Sequence, residues 1–237
     1  MELIRVFYHK VCPVCEKILP DVPDENKAGV CLKCNSGLHY IKAPRCMKCG
    51  KQIYNTNDEF CTDCKNKKHE FVQGAGVFAY DEEIKKSIYR FKYSNQREYS
   101  RFYAGAAASR LGYQIRHWAP DAIIPIPLST IKYLKRGYNQ AELLADDIGK
   151  LLDIPVDNTI LIRTRNTRPM KELNDEERVK NLQNAFKIRP NIVKYKKVLL
   201  IDDIYTTGAT IDACAAVLKE AGVREVYFVS VCIGNGF

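Results

Sequence analysis

From about Phe71 onward the apolar positions alternate between helical and strand spacing. In "EEIKKSIYRFKYS" Ile84, Ile88 and Phe91 fall on one helix face, ringed by basic residues. "DAIIPIPLS" reads as a strand, "AIIPI", that runs into a turn. "GYNQAELLADDIGKLLDI" predicts a helix with Ala141, Leu144, Ala145, Ile148, Leu151 and Leu152 facing inward. "KVLLIDD" predicts a strand. The helix after it, "TTGATIDACAAVLKEAG", turns Ile211, Cys214, Ala215 and Leu218 to the core and stops at Gly222. "EVYFVSVCI" is a further strand, and Cys214 and Cys232 fall within these apolar patterns as core residues. Strands alternating with helices imply an α/β fold: a mainly parallel sheet flanked by helices.

Residues 1–70 have a different texture. Eight of the ten cysteines form four C-x-x-C pairs: Cys12 and Cys15, Cys31 and Cys34, Cys46 and Cys49, Cys61 and Cys64. Each such knuckle turns the chain so that both sulfurs face one ion, and two knuckles complete a tetrahedron. Two structural Zn2+ ions are expected, with no coordination position left open. Sequential pairing is the natural arrangement; a crossed one, first knuckle with third and second with fourth, fits the spacing too. "CMKCG" carries a glycine suited to the knuckle turn. With both sets complete, His9, His39 and His69 are read as bystanders. So short a module has little core, and metal supplies much of its folding free energy. The expected division is a double zinc-ribbon module over 1–70 and a larger domain over 71–237.

The 237 residues carry a formal charge of +9. Eight thiolates and two Zn2+ change this by −8 + 4 = −4, leaving about +5. The excess is localised: eleven Lys and Arg lie between Ile84 and Gln140, opposed only by Glu98 and Asp121. Such a bias points to a polyanion or a phosphorylated substrate. Lys85, Lys86, Arg90 and Lys92, interleaved with Tyr89, Phe91 and Tyr93, and followed by Tyr99, Phe102 and Tyr103, form a candidate single-stranded nucleic-acid surface. No apolar run approaches the roughly 18 residues of a membrane span, and the N-terminus lacks the apolar core of a signal peptide. No membrane insertion and a cytoplasmic location are the corresponding expectations.

The sharpest chemistry lies in "LLIDDIYTTGAT", residues 199–210. Two adjacent like charges are costly to desolvate, so a core strand has no use for Asp202 and Asp203. In an open α/β sheet ligands bind beyond the carboxyl ends of strands. The helix that starts near Gly208 directs its unpaired N–H groups into the same crevice. Thr206, Thr207 and Thr210 add hydroxyls, and Gly208 lets the backbone approach a ligand closely. This combination suits a ribose 5-phosphate, with the anion in the turn and the vicinal hydroxyls on the acids.

"VLLIDDIYTTGAT" resembles the phosphoribosyl pyrophosphate (PRPP) signature of type I phosphoribosyltransferases. With "PIPLSTIKYLKRGYNQAELLA" and the knuckles, essentially the whole chain resembles the ComF family of competence proteins. The resemblance implies that Asp202 and Asp203 bind the ribose hydroxyls, directly or through Mg2+, and are the catalytic pair. It implies 5-phosphate contacts from Thr206, Thr207, Gly208, Ala209 and Thr210, and a pyrophosphate loop at Leu128 and Ser129. Arg136, Gly137, Tyr138, Asn139 and Gln140 match the family's "RGxNQ" element. "MKELNDEERVKNLQNAF" is similar to its mobile loop, with Leu173, Arg178, Asn181 and Phe186 fitting, whereas Met170 stands where the family usually has Gln. The implied role is PRPP binding with single-stranded DNA handling during natural transformation, beside a competence helicase partner. The alternative is an active phosphoribosyltransferase that transfers ribose 5-phosphate to a nitrogenous base or amide-derived nitrogen. Carbocation development at the anomeric carbon calls for Mg2+ on the leaving group and positioned phosphates rather than a strong acid–base pair.

Overall fold

The computed structural model describes residues 9–20, 29–164, 177, 182, 184–189 and 194–234. The expected residues Arg178, Leu173, Asn181 and Met170 lie outside them. In chain order the elements are α1 (Leu32–Gly37), α2 (Thr62–Asn66), β1 (Gln73–Ala79), α3 (Glu82–Tyr93), α4 (Tyr99–Trp118), β2 (Ala122–Pro125), α5 (Thr130–Arg136) and α6 (Gln140–Leu152). They continue with β3 (Leu161–Arg163), β4 (Phe186–Ile188), β5 (Lys197–Tyr205), α7 (Ala209–Glu220) and β6 (Glu225–Ile233). The order β1-β6-β5-β2 makes a sheet in which every pairing is parallel. β3 and β4 form a separate antiparallel ribbon.

Side chains of the central strands alternate between two cores, as the period of two requires. Leu199, Ile201, Tyr227 and Val229 face α3, α4 and α6. Val198, Leu200, Val226 and Phe228 face α7 and the β3–β4 ribbon. Ile211, Cys214, Ala215 and Leu218 are buried, and Ala141, Leu144, Ala145 and Ile148 line the inner face of α6. Leu151, expected inward, is instead 56% exposed: Leu152 takes the seam, and Asp153 ends the helix in the left-handed region one residue later.

The cysteine pairs join these cores rather than forming one of their own. Cys12, Val14, Leu19, Val30 and Leu38 pack with α3 and α4, whereas Ile41, Cys46, Cys49, Ile53 and Cys61 pack with α7 and Phe228. Each half of the module thus covers one face of the sheet. Between them residues 39–41 run along the outer edge of β1. The Ile41 amide donates to the Val77 carbonyl at 2.9 Å and the Ala79 amide to the His39 carbonyl at 2.8 Å. Gly50, at φ +76°, passes so close to β1 that a Cβ would stand 2.6 Å from the Gly74 carbonyl oxygen. The glycine after Cys49 serves the knuckle turn and the docking on β1 together.

The first half is also tied to α3 by polar contacts. Ser87 Oγ donates to the Pro13 carbonyl at 2.6 Å, and the Arg90 guanidinium donates to the carbonyl of Val14 at 2.5 Å. Among the described residues no helix is long and apolar enough to cross a membrane.

Candidate functional site

The eight knuckle cysteines gather as two sets, Cys12, Cys15, Cys31 and Cys34, and Cys46, Cys49, Cys61 and Cys64, each with its sulfurs within 4.8 Å of one another. The pairing is sequential. Both sets follow one plan: the amide of the first cysteine donates to the carbonyl five residues on, from Cys12 to Lys17 and from Cys46 to Lys51, at 2.8 Å in each case. Cys31 and Cys61 then cap the short helices α1 and α2. Cys15 and Cys31, and Cys49 and Cys61, approach to 3.7 Å, a non-bonded separation rather than a disulfide. Four cysteine sulfurs drawn together with no other ligand type form a donor set that fits Zn2+. None of the three histidines belongs to either set.

The acidic pair stands at the carboxyl end of β5. Burial, then the Asp203 charge, pushes the Asp202 carboxyl up to about 7, opposed by the Asp203 amide, Lys92 and Arg163. The Asp203 amide donates to Asp202 Oδ1 at 2.8 Å. Lys92 Nζ lies 2.8 Å from Asp203 Oδ2, with only 15% and 14% of the two side chains exposed. Burial opposes the charge on Lys92, but Asp203 outweighs it and holds the ammonium above its usual range. Lys132 is pushed down by burial and by the fields of Arg163, Arg136 and Lys92. The surroundings of the acids are therefore rich in cations.

Lys92 was expected on a nucleic-acid surface; the structure places it against Asp203. Arg90 likewise turns inward, onto the first knuckle. Only Lys85 and Lys86 of that quartet are exposed, Lys85 pairing with Glu82 at 2.8 Å. Phe91, Tyr99, Phe102 and Tyr103 belong to the core. Tyr89 and Tyr93 are exposed, by 59% and 47%, with ring centroids 4.8 Å apart. The helical period explains the split: 84, 88 and 91 face in, whereas 85, 86, 89 and 93 face out. Lys92 lies on α3's final turn, where the helix end meets the end of β5.

The "RGxNQ" residues build the framework that sets this geometry. Asn139 caps α6, its Oδ1 accepting from the Ala141 amide at 3.1 Å, while its Nδ2 donates to the Ile126 carbonyl at 3.0 Å. It therefore fixes the loop after β2, where Leu128 is half-buried and Ser129 is buried at the start of α5. Tyr138 Oη donates to the Phe91 carbonyl, next to Lys92. Arg136 donates to Gln140 Oε1 at 2.7 Å and to Tyr93 Oη at 3.0 Å. Gly137, at φ +76°, closes α5.

Thr206, Thr207, Gly208, Ala209 and Thr210 form the turn that opens α7. Gly208 is its N-cap, at φ +81°. An added Cβ there would meet Tyr205 Oη at 2.8 Å and the His69 ring at 3.0 Å, so the glycine is required by packing behind the turn as well as by its backbone angle. His69, treated as a bystander in the sequence, is a buttress of this turn; only its spacing after Cys64 could have drawn attention to it. Phe186 is buried in β4, within the core that includes α7.

Two predictions follow from this geometry. Elemental analysis of the purified protein should find two zinc ions per chain. Because the knuckles share both cores of the sheet, chelation should lower the unfolding midpoint of the whole chain in one transition; an unchanged main transition after metal loss would contradict the shared cores. The second concerns Asp202. A carboxyl raised by folding carries a cost that is absent below its unfolded pKa of about 3.9 and grows until its folded value near 7. Asp202→Asn should therefore stabilise the protein at pH 8 by about 1–4 kcal/mol, and the gain should vanish near pH 4. Denaturant midpoints measured across that range would show it.

Residues 3–65 match the double zinc ribbon domain and residues 116–236 the phosphoribosyl transferase domain. Over 217 residues the chain is 32% identical to Competence protein F of Haemophilus influenzae, covering 83% of this chain and 93% of that one. It is 32% identical to Competence protein ComFC of Streptococcus pneumoniae, covering 83% and 84%. The DNA utilization protein YhgH of Escherichia coli K12 is 26% identical, over 86% and 90%. Among solved structures, the purine phosphoribosyltransferase from Pyrococcus horikoshii is similar over 58% of this chain and 72% of that one, at 16% identity and a TM-score of 0.32. A double zinc ribbon followed by a phosphoribosyl transferase domain, with this identity over most of both chains, makes the protein a member of the ComF family.

Proposed function

We propose that the protein binds PRPP with Mg2+ and acts in DNA uptake by handling single-stranded DNA on the cytoplasmic side of the membrane. The observation that carries the first part is the Asp202–Asp203 pair near the end of β5, with two residues between it and the turn 206–210 at the start of α7. In this reading the 5-phosphate lies against the α7 amides and the hydroxyls of Thr206, Thr207 and Thr210. The acids hold the ribose hydroxyls, and the pyrophosphate faces Leu128 and Ser129. Asp202 and Asp203 would hold Mg2+, which would supply charge neutralisation to the departing pyrophosphate. Lys92, Lys132 and Arg136 add a fixed positive field suited to a ligand with several negative charges.

Relatives named as competence and DNA utilization proteins support the second part. On this chain the corresponding surface is the outer face of α3: Lys85, Lys86 and the paired rings of Tyr89 and Tyr93, with Arg136 over the Tyr93 ring at 4.9 Å. A cationic face with exposed rings suits stacked bases and their backbone. Turnover of PRPP is the second reading, favoured by the donor-site parts alone; pyrophosphate release with a supplied base would bring it forward.

Asp202→Asn is the discriminating variant for the donor site. Asp203→Asn would leave the buried Lys92 ammonium without its partner and would destabilise the fold. Asp202→Asn should weaken PRPP–Mg2+ by about 10- to 100-fold, the worth of hydrogen bonds to a charged group, while raising stability at pH 8. Unfolding cannot mimic that combination. Calorimetry showing parental affinity would reject the assignment of the acid to ribose.

For DNA, affinity for a single strand should fall with salt at a log–log slope of about −0.7 per phosphate contact. Lys85→Glu with Lys86→Glu should reduce the slope by about 1.4 if each makes one contact, and Tyr89→Ala should weaken binding with the slope unchanged. PRPP affinity should stay constant in these variants. A slope insensitive to the charge reversal would place the DNA elsewhere.

A further inference from the structure

The second zinc ribbon ends against the turn that opens α7. Beyond Cys64 and the end of α2 the chain passes Lys67, His69 and Glu70 along the first turn of that helix. The Glu70 amide donates to Asp212 Oδ1 at 2.9 Å, and His69 Nδ1 lies 2.9 Å from Asp212 Oδ2. The His69 ring is buried, stacked on Phe71 with centroids 4.7 Å apart, and backs onto Gly208. Lys67 completes the group: its Nζ is 3.3 Å from Asp212 Oδ2 and donates to the Thr207 carbonyl at 3.4 Å.

These contacts are not equivalent. Both oxygens of Asp212 are already engaged by Glu70 and His69, so the carboxylate keeps its partners if Lys67 leaves. The Lys67 side chain is 36% exposed, and an ion pair that open to solvent stabilises the fold little. Its ammonium nevertheless stands beside a carbonyl of the turn itself. A phosphate monoester seated on the α7 amides would offer that ammonium charge-assisted hydrogen bonds stronger than a neutral carbonyl can supply. The partly exposed Lys67 side chain is flexible enough to exchange the Thr207 carbonyl for such a partner.

We propose that Lys67, a residue of the zinc-ribbon module, is a direct ligand of the 5-phosphate. The proposal rests on the PRPP reading and adds to it a binding residue from outside the signature 199–210. The donor site is then built by both parts of the chain. The acids, the turn and the loop after β2 come from the sheet, and one cation comes from the ribbon.

The test uses the full-length protein with its metal, and calorimetry with three probes. Ribose 5-phosphate carries the 5-phosphate alone, Mg2+–pyrophosphate lacks it, and Mg2+–PRPP carries both groups. Lys67→Ala should weaken ribose 5-phosphate and PRPP by about 10- to 100-fold and leave pyrophosphate within about twofold. Lys67→Arg should recover much of the loss. Zinc content and unfolding midpoint should match the parent in both variants, so the loss reports a ligand contact and not a collapsed ribbon. Parental affinity of Lys67→Ala for ribose 5-phosphate would overturn the proposal, as would an equal loss toward pyrophosphate, which marks a general charge effect. A parent that binds neither ribose 5-phosphate nor PRPP would overturn the PRPP reading itself, and Lys67 with it.

Discussion

Two carboxylates side by side at the end of a buried strand are the constraint around which this molecule is arranged. Neither burial nor mutual repulsion lets both ionise unaided, and the chain answers with one ammonium, Lys92, on Asp203. That ammonium must be brought to β5 from α3 and held there in a fixed position. Tyr138 bonds the carbonyl of Phe91 beside it, while Ser87 and Arg90 anchor the preceding turn of the same helix to the first knuckle. The charge balance of the site thus depends on packing at two remote places.

The zinc ribbons are accordingly walls of the larger domain. The first reaches the acidic pair through α3; the second reaches the α7 turn through Lys67 and His69. Each brings its own cysteines into a different core. Metal binding in such an arrangement stabilises a shared interior, with thiolate ligation taking the place of apolar area that a short segment cannot bury by itself.

Much of this was legible in the sequence. The strand-to-turn signature, the four knuckles and the inward faces of α6 and α7 each follow from local spacing, and local spacing is what one sequence records. The roles of Lys92 and His69 were not legible, because each depends on which elements meet in space. Lys92 falls within a basic stretch and reads as one more surface cation; only the docking of α3 against the end of β5 singles it out. His69 follows a complete ligand set, and nothing in its neighbourhood marks it as a support for Gly208. The aromatic residues of 89–103 carried an ambiguity of another kind. Periodicity separates Phe91 from Tyr89 and Tyr93, but a dense aromatic run suits a core and a stacking surface equally until the helices are in place.

The segment 39–41 has a consequence for how the protein fails. It covers the outer edge of β1, the boundary strand of a parallel sheet, held there by backbone hydrogen bonds to β1, by His39 on Asp81 and by Arg110 over the Tyr40 ring, with a zinc ribbon on either side. An uncovered edge presents a row of unpaired amides and carbonyls to any other extended chain. In a cell short of zinc, the shared cores would weaken, and the cover over this edge would weaken with them. Each opening of so weakened a chain would bare the edge of β1 to further copies, so metal supply would bear on solubility as well as on binding.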